Sequence, residues 1–210
     1  MRVISLLKEI SLIRPNIWLR TGLRSNSPKE PDYYILKGFP GWYSYNEILS
    51  SLSEAGMHGA IVDLGVQTRS IDEYAMTLKK FLPKDREFTL IGFSMGGLIA
   101  LKYADNTNWK NIKKVITVAT PFGGSPKAAY LPFWKATHQM REGSEYLDQF
   151  QKMKLPRNKL LCAYGEDDDL VNNEHTHLGE CLHEKIPEQR HVTTQLYFQK
   201  HIQHILEKHL

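Results

Sequence analysis

Two hydrophobic rhythms alternate along this chain. Tyr33–Leu36, Gly59–Leu64, Glu87–Ile91, Val115–Ala119 and Lys159–Tyr164 are short apolar runs of the length and β-branched content of buried strands. Between them the apolar positions recur at helical spacing. Tyr45, Ile48, Leu49, Leu52 and Ala55 form one stripe, with Ser44 and Glu47 as a capping box before it and Gly56 at its end. Ser70 and Glu73 repeat the capping box ahead of Ile71, Tyr74, Ala75, Leu78 and Leu82, and Pro83 stops that helix. Gly97 to Ala104 is helix-like, and a last helix carries Phe198, Ile202, Ile205 and Leu206. Strands that are apolar on both faces and alternate with helices predict a mostly parallel central sheet with helices on both faces.

The N-terminus departs from this rhythm. Val3, Leu6, Leu7, Ile10, Ile13 and Ile17 keep helical spacing up to and past Pro15, which ends or kinks the helix. Residues 1–27 carry Arg2, Lys8, Arg14, Arg20 and Arg24 against Glu9, the whole of the chain's net charge of +4. Residues 1–30 therefore read as a basic amphipathic arm. A helix packed on the core is the favoured reading; a segment over residues 1–24 touching a membrane surface or a partner is the alternative. Ser25 to Pro31 reads as a linker, and residues 31–210 as a single domain.

Composition narrows the class further. At 210 residues, with 41% hydrophobic and 24% charged, the chain suits one soluble domain with a sizeable core. No apolar run reaches the roughly 20 residues that span a bilayer, and Val3 to Ile13, interrupted by Lys8-Glu9, lacks the cleavage site of a secretory signal. Cys162 and Cys181 make no disulfide framework, and Cys162 reads as a buried small hydrophobe. A reducing, cytoplasmic setting is expected. There is no basic-aromatic stripe, so nucleic acid is not an expected partner.

Candidate chemistry concentrates at Gly92-Phe93-Ser94-Met95-Gly96. This Gly-x-Ser-x-Gly lies between a strand and a helix, where a sharp turn forces the serine outward as a nucleophile elbow. A serine needs a base, and the base needs an orienting carboxylate. In such a sheet these follow later strands, in the order serine, acid, histidine. After Tyr164-Gly165 come Asp167, Asp168 and Asp169; Asp168, ahead of the apolar pair Leu170-Val171, is the expected acid and Asp169 the second choice. His191, in the loop before the last helix, is the expected base, with His175 or His177 as the fallback. His201, His204 and His209 lie too far along that helix. Metal ligation by the acidic run or by His175 and His177 lacks completing ligands, so no metal or organic cofactor is expected. Backbone N–H groups of Met95 and Phe39 are the expected oxyanion donors.

Lys37-Gly38-Phe39, the Asp63 loop with Ser70-Ile71, Gly92 to Gly97, Thr120-Pro121-Phe122-Gly123-Gly124-Ser125 and Asp168 to Val171 together resemble the α/β-hydrolase superfamily, in particular its small lipase and esterase members. The likeness runs from about Tyr33 to the C-terminus. It implies the α/β-hydrolase fold, Ser94 as nucleophile, Asp168 as acid, His191 as base, and cleavage of a small-molecule or lipid ester; an acyltransferase or thioesterase using the same residues, or a non-catalytic binding protein on the same scaffold, are the alternatives. It also implies a small cap insertion at about 126–157, where Tyr130, Leu131, Phe133, Trp134, Met140, Tyr146, Leu147 and Phe150 gather; Phe122 and Trp134 are the residues expected at the substrate pocket. One departure stands out: such enzymes usually carry His-Gly at the oxyanion turn, and here Lys37 replaces the histidine, which suggests a preference for an anionic substrate group.

Overall fold

The computed structural model describes residues 21–39, 45–65, 68–130, 133–171, 178–179 and 181–209. Their strands are β1 (Thr21–Ser25), β2 (Tyr33–Leu36), β3 (Gly59–Leu64), β4 (Phe88–Phe93), β5 (Ile112–Val118), β6 (Leu160–Gly165) and β7 (Leu182–Ile186). These described strands form one sheet in the order β1-β3-β2-β4-β5-β6-β7. β2 through β7 run parallel, and β1 alone is antiparallel, pairing Thr21 with Leu64 at the edge.

Strand side chains alternate between two cores, as the pleat requires. Tyr34, Leu36, Phe88, Leu90, Val115 and Leu160 enter one cluster, under α2 (Ile71–Leu78) and α3 (Met95–Asn106). Ile35, Ile91, Phe93, Ile116, Val118 and Leu161 enter the other, with Ile48 and Leu52 of α1 (Asn46–Glu54), Phe198 of α6 (His191–Lys200) and Ile202 and Ile205 of α7 (Ile202–His209). Each such fully buried apolar side chain contributes about 1.5–3 kcal/mol, so both faces of the sheet are held firmly.

Local signals set the helix ends. At α2 the Ser70 Oγ accepts the Glu73 N–H, and the Glu73 carboxylate accepts the Ser70 N–H at 2.8 Å, which completes the expected capping box. Gly56, at φ 68°, closes α1 in the left-handed conformation. α1 begins at Asn46 with Tyr45 at its N-cap, and the other predicted box falls on Ser44, which lies outside the described residues.

Three expectations need correction. Residues 21–25, assigned to a separate arm, are a strand of the sheet, and residues 25–31 are anchored rather than a free linker. Asn26 donates to the carbonyls of Leu49 and Met57 and accepts the Gly59 N–H at 3.0–3.1 Å, which fastens the turn after β1. The last helix is also broken, with His201 separating α6 from α7. Finally, the segment 126–157, expected as a cap, is built into the main core: the 3-10 turn (Pro126–Tyr130) and α4 (Lys135–Gln139) bury Ala128 and Ala136 in the same cluster that receives Leu147 and Phe150 of α5 (Glu145–Gln151). The stretch Val3 to Ile17 lies outside the described residues.

Candidate active site

The serine turn follows from steric necessity. Ser94 has φ 51° and ψ −121°, a backbone conformation that costs energy for a non-glycine residue. What holds it there is the tight seating of α3 against the sheet. A Cβ on Gly92 would lie 2.4 Å from the Gly96 carbonyl oxygen, and one on Gly96 would lie 2.4 Å from the Leu36 oxygen. Glycine at both positions lets the first turn of α3 press onto β4 and β2. The Ser94 N–H donates to the Val118 oxygen at 2.7 Å, pinning the elbow to β5.

Two later strand ends meet this serine. His191 is the first residue of α6, and its Nε2 lies 3.1 Å from Ser94 Oγ. Its Nδ1 lies 2.9 Å from Asp168 Oδ2 and 3.1 Å from Oδ1. Asp168 is in turn fixed by the turn after β6, where its Oδ1 accepts the N–H groups of Leu170 and Val171, both at 2.9 Å. The Asp168 side chain is fully buried and that of His191 is 6% exposed, so water competes little for these bonds. Asp169 is occupied otherwise: its Oδ1 accepts the His191 backbone N–H at 3.4 Å, and its Oδ2 lies 3.9 Å from Lys127 Nζ. Of the adjacent aspartates, Asp168 is therefore the one aimed at the imidazole. His175 and His177 lie outside the described residues.

The turn after β2 passes directly over the serine, since a Cβ on Gly38 would stand 3.1 Å from Ser94 Cβ. The Gly38 N–H is already bonded to Tyr45 Oη at 3.0 Å. Phe39 follows on the same turn, and Met95 opens α3, where the first N–H groups have no intrahelical partner and face anions favourably. Pro40 and Gly41 lie outside the described residues.

Lys37 carries a different message from the one its sequence position suggests. It is only 7% exposed, and its Nζ donates to Asp63 Oδ2 at 3.0 Å. Asp63 Oδ1 also accepts the Gly65 N–H at 3.1 Å. The ammonium thus ties the β2 turn to the end of β3, with its charge balanced by Asp63 rather than offered to an anionic substrate.

The aromatic residues divide. Trp134, half-buried ahead of α4, packs on Phe39 with ring centroids 5.1 Å apart, so the segment leading into α4 rests on the turn above Ser94. Phe122, expected at the pocket, has no exposed surface and packs against Phe150 in the main core. Tyr130 and Phe133 stand out into solvent, Phe133 at 93% exposure. Sequence reasoning missed Tyr45, whose hydroxyl also donates to Gln195 Oε1 at 3.1 Å, and missed the pairing of Cys162 with Cys181; both contacts join residues far apart in the chain, with no local signal.

The fold has many relatives among solved structures. The mature Bacillus licheniformis lipase BlEst2 superimposes with a TM-score of 0.69 at 17% identity, over 87% of this chain and 97% of that one. A Paleococcus ferrophilus monoacylglycerol lipase gives 0.66 at 14% identity, over 91% of this chain and 100% of the other. YbtT, the type II thioesterase of the yersiniabactin pathway, gives 0.61 at 14%, over 89% and 97%. Comparison with curated proteins found no match. The family model for the alpha/beta hydrolase fold matches residues 34–153, more than half of the chain, and the protein belongs to that family.

Proposed function

We propose that this protein is a serine hydrolase that cleaves carboxylic esters through an acyl-enzyme on Ser94. The observation that carries the reading is the continuous hydrogen-bond path from Ser94 Oγ through the His191 ring to Asp168. Ser94 Oγ attacks the acyl carbonyl while His191 Nε2 takes its proton. Asp168 holds Nδ1 protonated and stabilises the imidazolium that forms. The Met95 and Phe39 N–H groups bind the tetrahedral oxyanion, and loss of one such donor typically costs about 100- to 1,000-fold in turnover. His191 returns its proton to the leaving alcohol. It then activates water to release the acid, so the cycle needs no cofactor.

Trp134 lying on Phe39 forms one apolar wall beside the serine, which suits the acyl chain of a small or lipid ester. The thioesterase reading uses the same residues with a thiolate leaving group, and the likeness to YbtT favours keeping it as the second reading. Ser94→Ala is expected to abolish both p-nitrophenyl ester cleavage and fluorophosphonate labelling while the circular dichroism spectrum and thermal midpoint stay close to wild type. Retained cleavage in a folded variant refutes the assignment. An unlabelled wild-type protein would instead make the chain a binding protein on a hydrolase scaffold. Parallel kinetics on matched acyl esters and thioesters separate the two enzymatic readings.

A further inference from the structure

The two cysteines of the chain, 19 residues apart in sequence, meet in the fold with their Sγ atoms 2.9 Å apart. Cys162 lies in β6, fully buried, and Cys181 stands half-buried immediately before β7. The register of the parallel pair explains the approach. Cys162 is opposite His183, so Cys181 falls two residues back on the same face of the sheet, diagonal to Cys162. A disulfide bond is about 2.05 Å long, so bonding requires the sulfurs to close by about 0.9 Å, within the reach of side-chain rotation.

We propose that Cys162 and Cys181 are a redox-active dithiol whose oxidation to a disulfide clips together the two ends of the segment carrying Asp168. Both are free cysteines in this structure. The environments divide the labour between them. Burial pushes the Cys162 thiol well above its ordinary range, whereas the hydrogen bond shared with Cys162 lowers that of Cys181. Cys181, the more accessible sulfur, is the attacking thiolate, and Cys162 is the resolving thiol.

With a low-molecular-weight disulfide such as oxidised glutathione as oxidant, the chemistry balances in two exchanges. The Cys181 thiolate attacks one glutathione sulfur, forming a mixed disulfide and expelling one glutathione thiolate. The Cys162 sulfur then attacks Cys181 Sγ, its proton passing to the second glutathione as that leaves. Two protein thiols are oxidised to one disulfide, and one glutathione disulfide is reduced to two thiols. A reducing compartment holds the pair open, and a shift towards oxidising conditions closes it.

The clip closes a loop of about 20 residues, which restricts the unfolded chain more than the native one, where the ends already meet. Oxidation is therefore expected to raise the thermal midpoint by about 5–10 °C.

The test uses the full chain, freed of reductant, equilibrated with oxidised glutathione and then quenched with N-ethylmaleimide. Intact mass is expected to fall by 2 Da with no maleimide and no glutathione bound, and dithiothreitol is expected to restore two maleimide-reactive thiols. Cys162→Ser is expected to stall as the glutathione adduct of Cys181, since the resolving thiol is gone. Two maleimides on the glutathione-treated wild type would overturn the proposal, as would a lasting glutathione adduct or a covalent dimer. An unchanged thermal midpoint in protein shown by mass to be oxidised would overturn the clip. Neither readout depends on the protein's being an esterase.

Discussion

Tyr45 offers a severe test of how the proposed oxyanion turn and the proposed base are held in one geometry. Its side chain is fully buried, with its ring packed 4.9 Å from that of Phe93. Its hydroxyl accepts the Gly38 N–H at 3.0 Å and donates to Gln195 Oε1 at 3.1 Å. Gln195 lies one turn beyond His191 on α6, so one phenol links the turn above Ser94 to the helix that presents the imidazole. Tyr45→Phe keeps the ring and removes only the oxygen. The Gly38 donor and the Gln195 acceptor then lose this buried partner, at about 1–3 kcal/mol for each group left unsatisfied. Allowing for local relaxation, a net loss of about 2–4 kcal/mol is expected in urea unfolding, read from the shift in midpoint at constant slope. Because the Phe39 N–H rides on the same turn, kcat towards a p-nitrophenyl ester is expected to fall about tenfold or more with little change in KM, the mark of an interaction realised in the transition state. Adding Gln195→Met removes the orphaned acceptor. The double variant is then expected to lose less stability than the two single losses combined, with a coupling of about 1 kcal/mol. A Tyr45→Phe protein within about 0.5 kcal/mol of wild type and with unchanged kcat would refute the linkage, as would strictly additive losses.

The Lys37–Asp63 pair and the C-terminal helix give two further expectations. Lys37→Met leaves Asp63 without its ammonium at a mostly buried site, with an expected loss of about 1–3 kcal/mol in urea unfolding. The preference between neutral and anionic esters is expected to be unchanged, and a selective loss on anionic esters would reinstate Lys37 as a substrate contact. On β7, burial raises the Glu184 carboxyl, but hydrogen bonds from His209 and Lys208, each at 2.7 Å, outweigh it and hold the group below its ordinary value of 4.5. A depressed carboxylate stabilises the fold above its unfolded value, and that stability is lost as pH falls through the folded value. Glu184→Gln is therefore expected to be less stable than wild type at pH 7, with the gap closing below about pH 4.5; a gap that does not change with pH would count against the pairing.

What the sequence disclosed, and what it hid, divides by the range of the forces involved. The serine elbow was legible because its cause is local: glycines at 92 and 96 are demanded by a strand, a turn and a helix adjacent in sequence. The alternation of strand and helix was legible because parallel strands need apolar residues on both faces, which leaves a continuous run in the text. β1 was not, since Thr21-Gly22-Leu23-Arg24-Ser25 is largely exposed and owes its conformation to backbone pairing with β3, which no side-chain pattern encodes. The choice among adjacent aspartates was only half legible. Chain order brought the acid to this loop, but it is the Leu170 and Val171 N–H groups that aim Asp168 at His191 and leave Asp169 for Lys127.

Lys37 shows why such gaps matter for function as well as for fold. Read along the chain, a lysine where such enzymes usually carry a histidine looks like a specificity device. Read in space, it donates to Asp63 at the end of the neighbouring strand, 26 residues away in sequence. A buried ammonium that lacked such a partner would carry a desolvation penalty of several kcal/mol, so the pair has to be treated as one unit. That unit braces the same turn that the Tyr45 hydroxyl braces through Gly38. Both contacts act on the position of the Phe39 N–H relative to Ser94, so the geometry of the proposed oxyanion site depends on side chains that never touch a substrate.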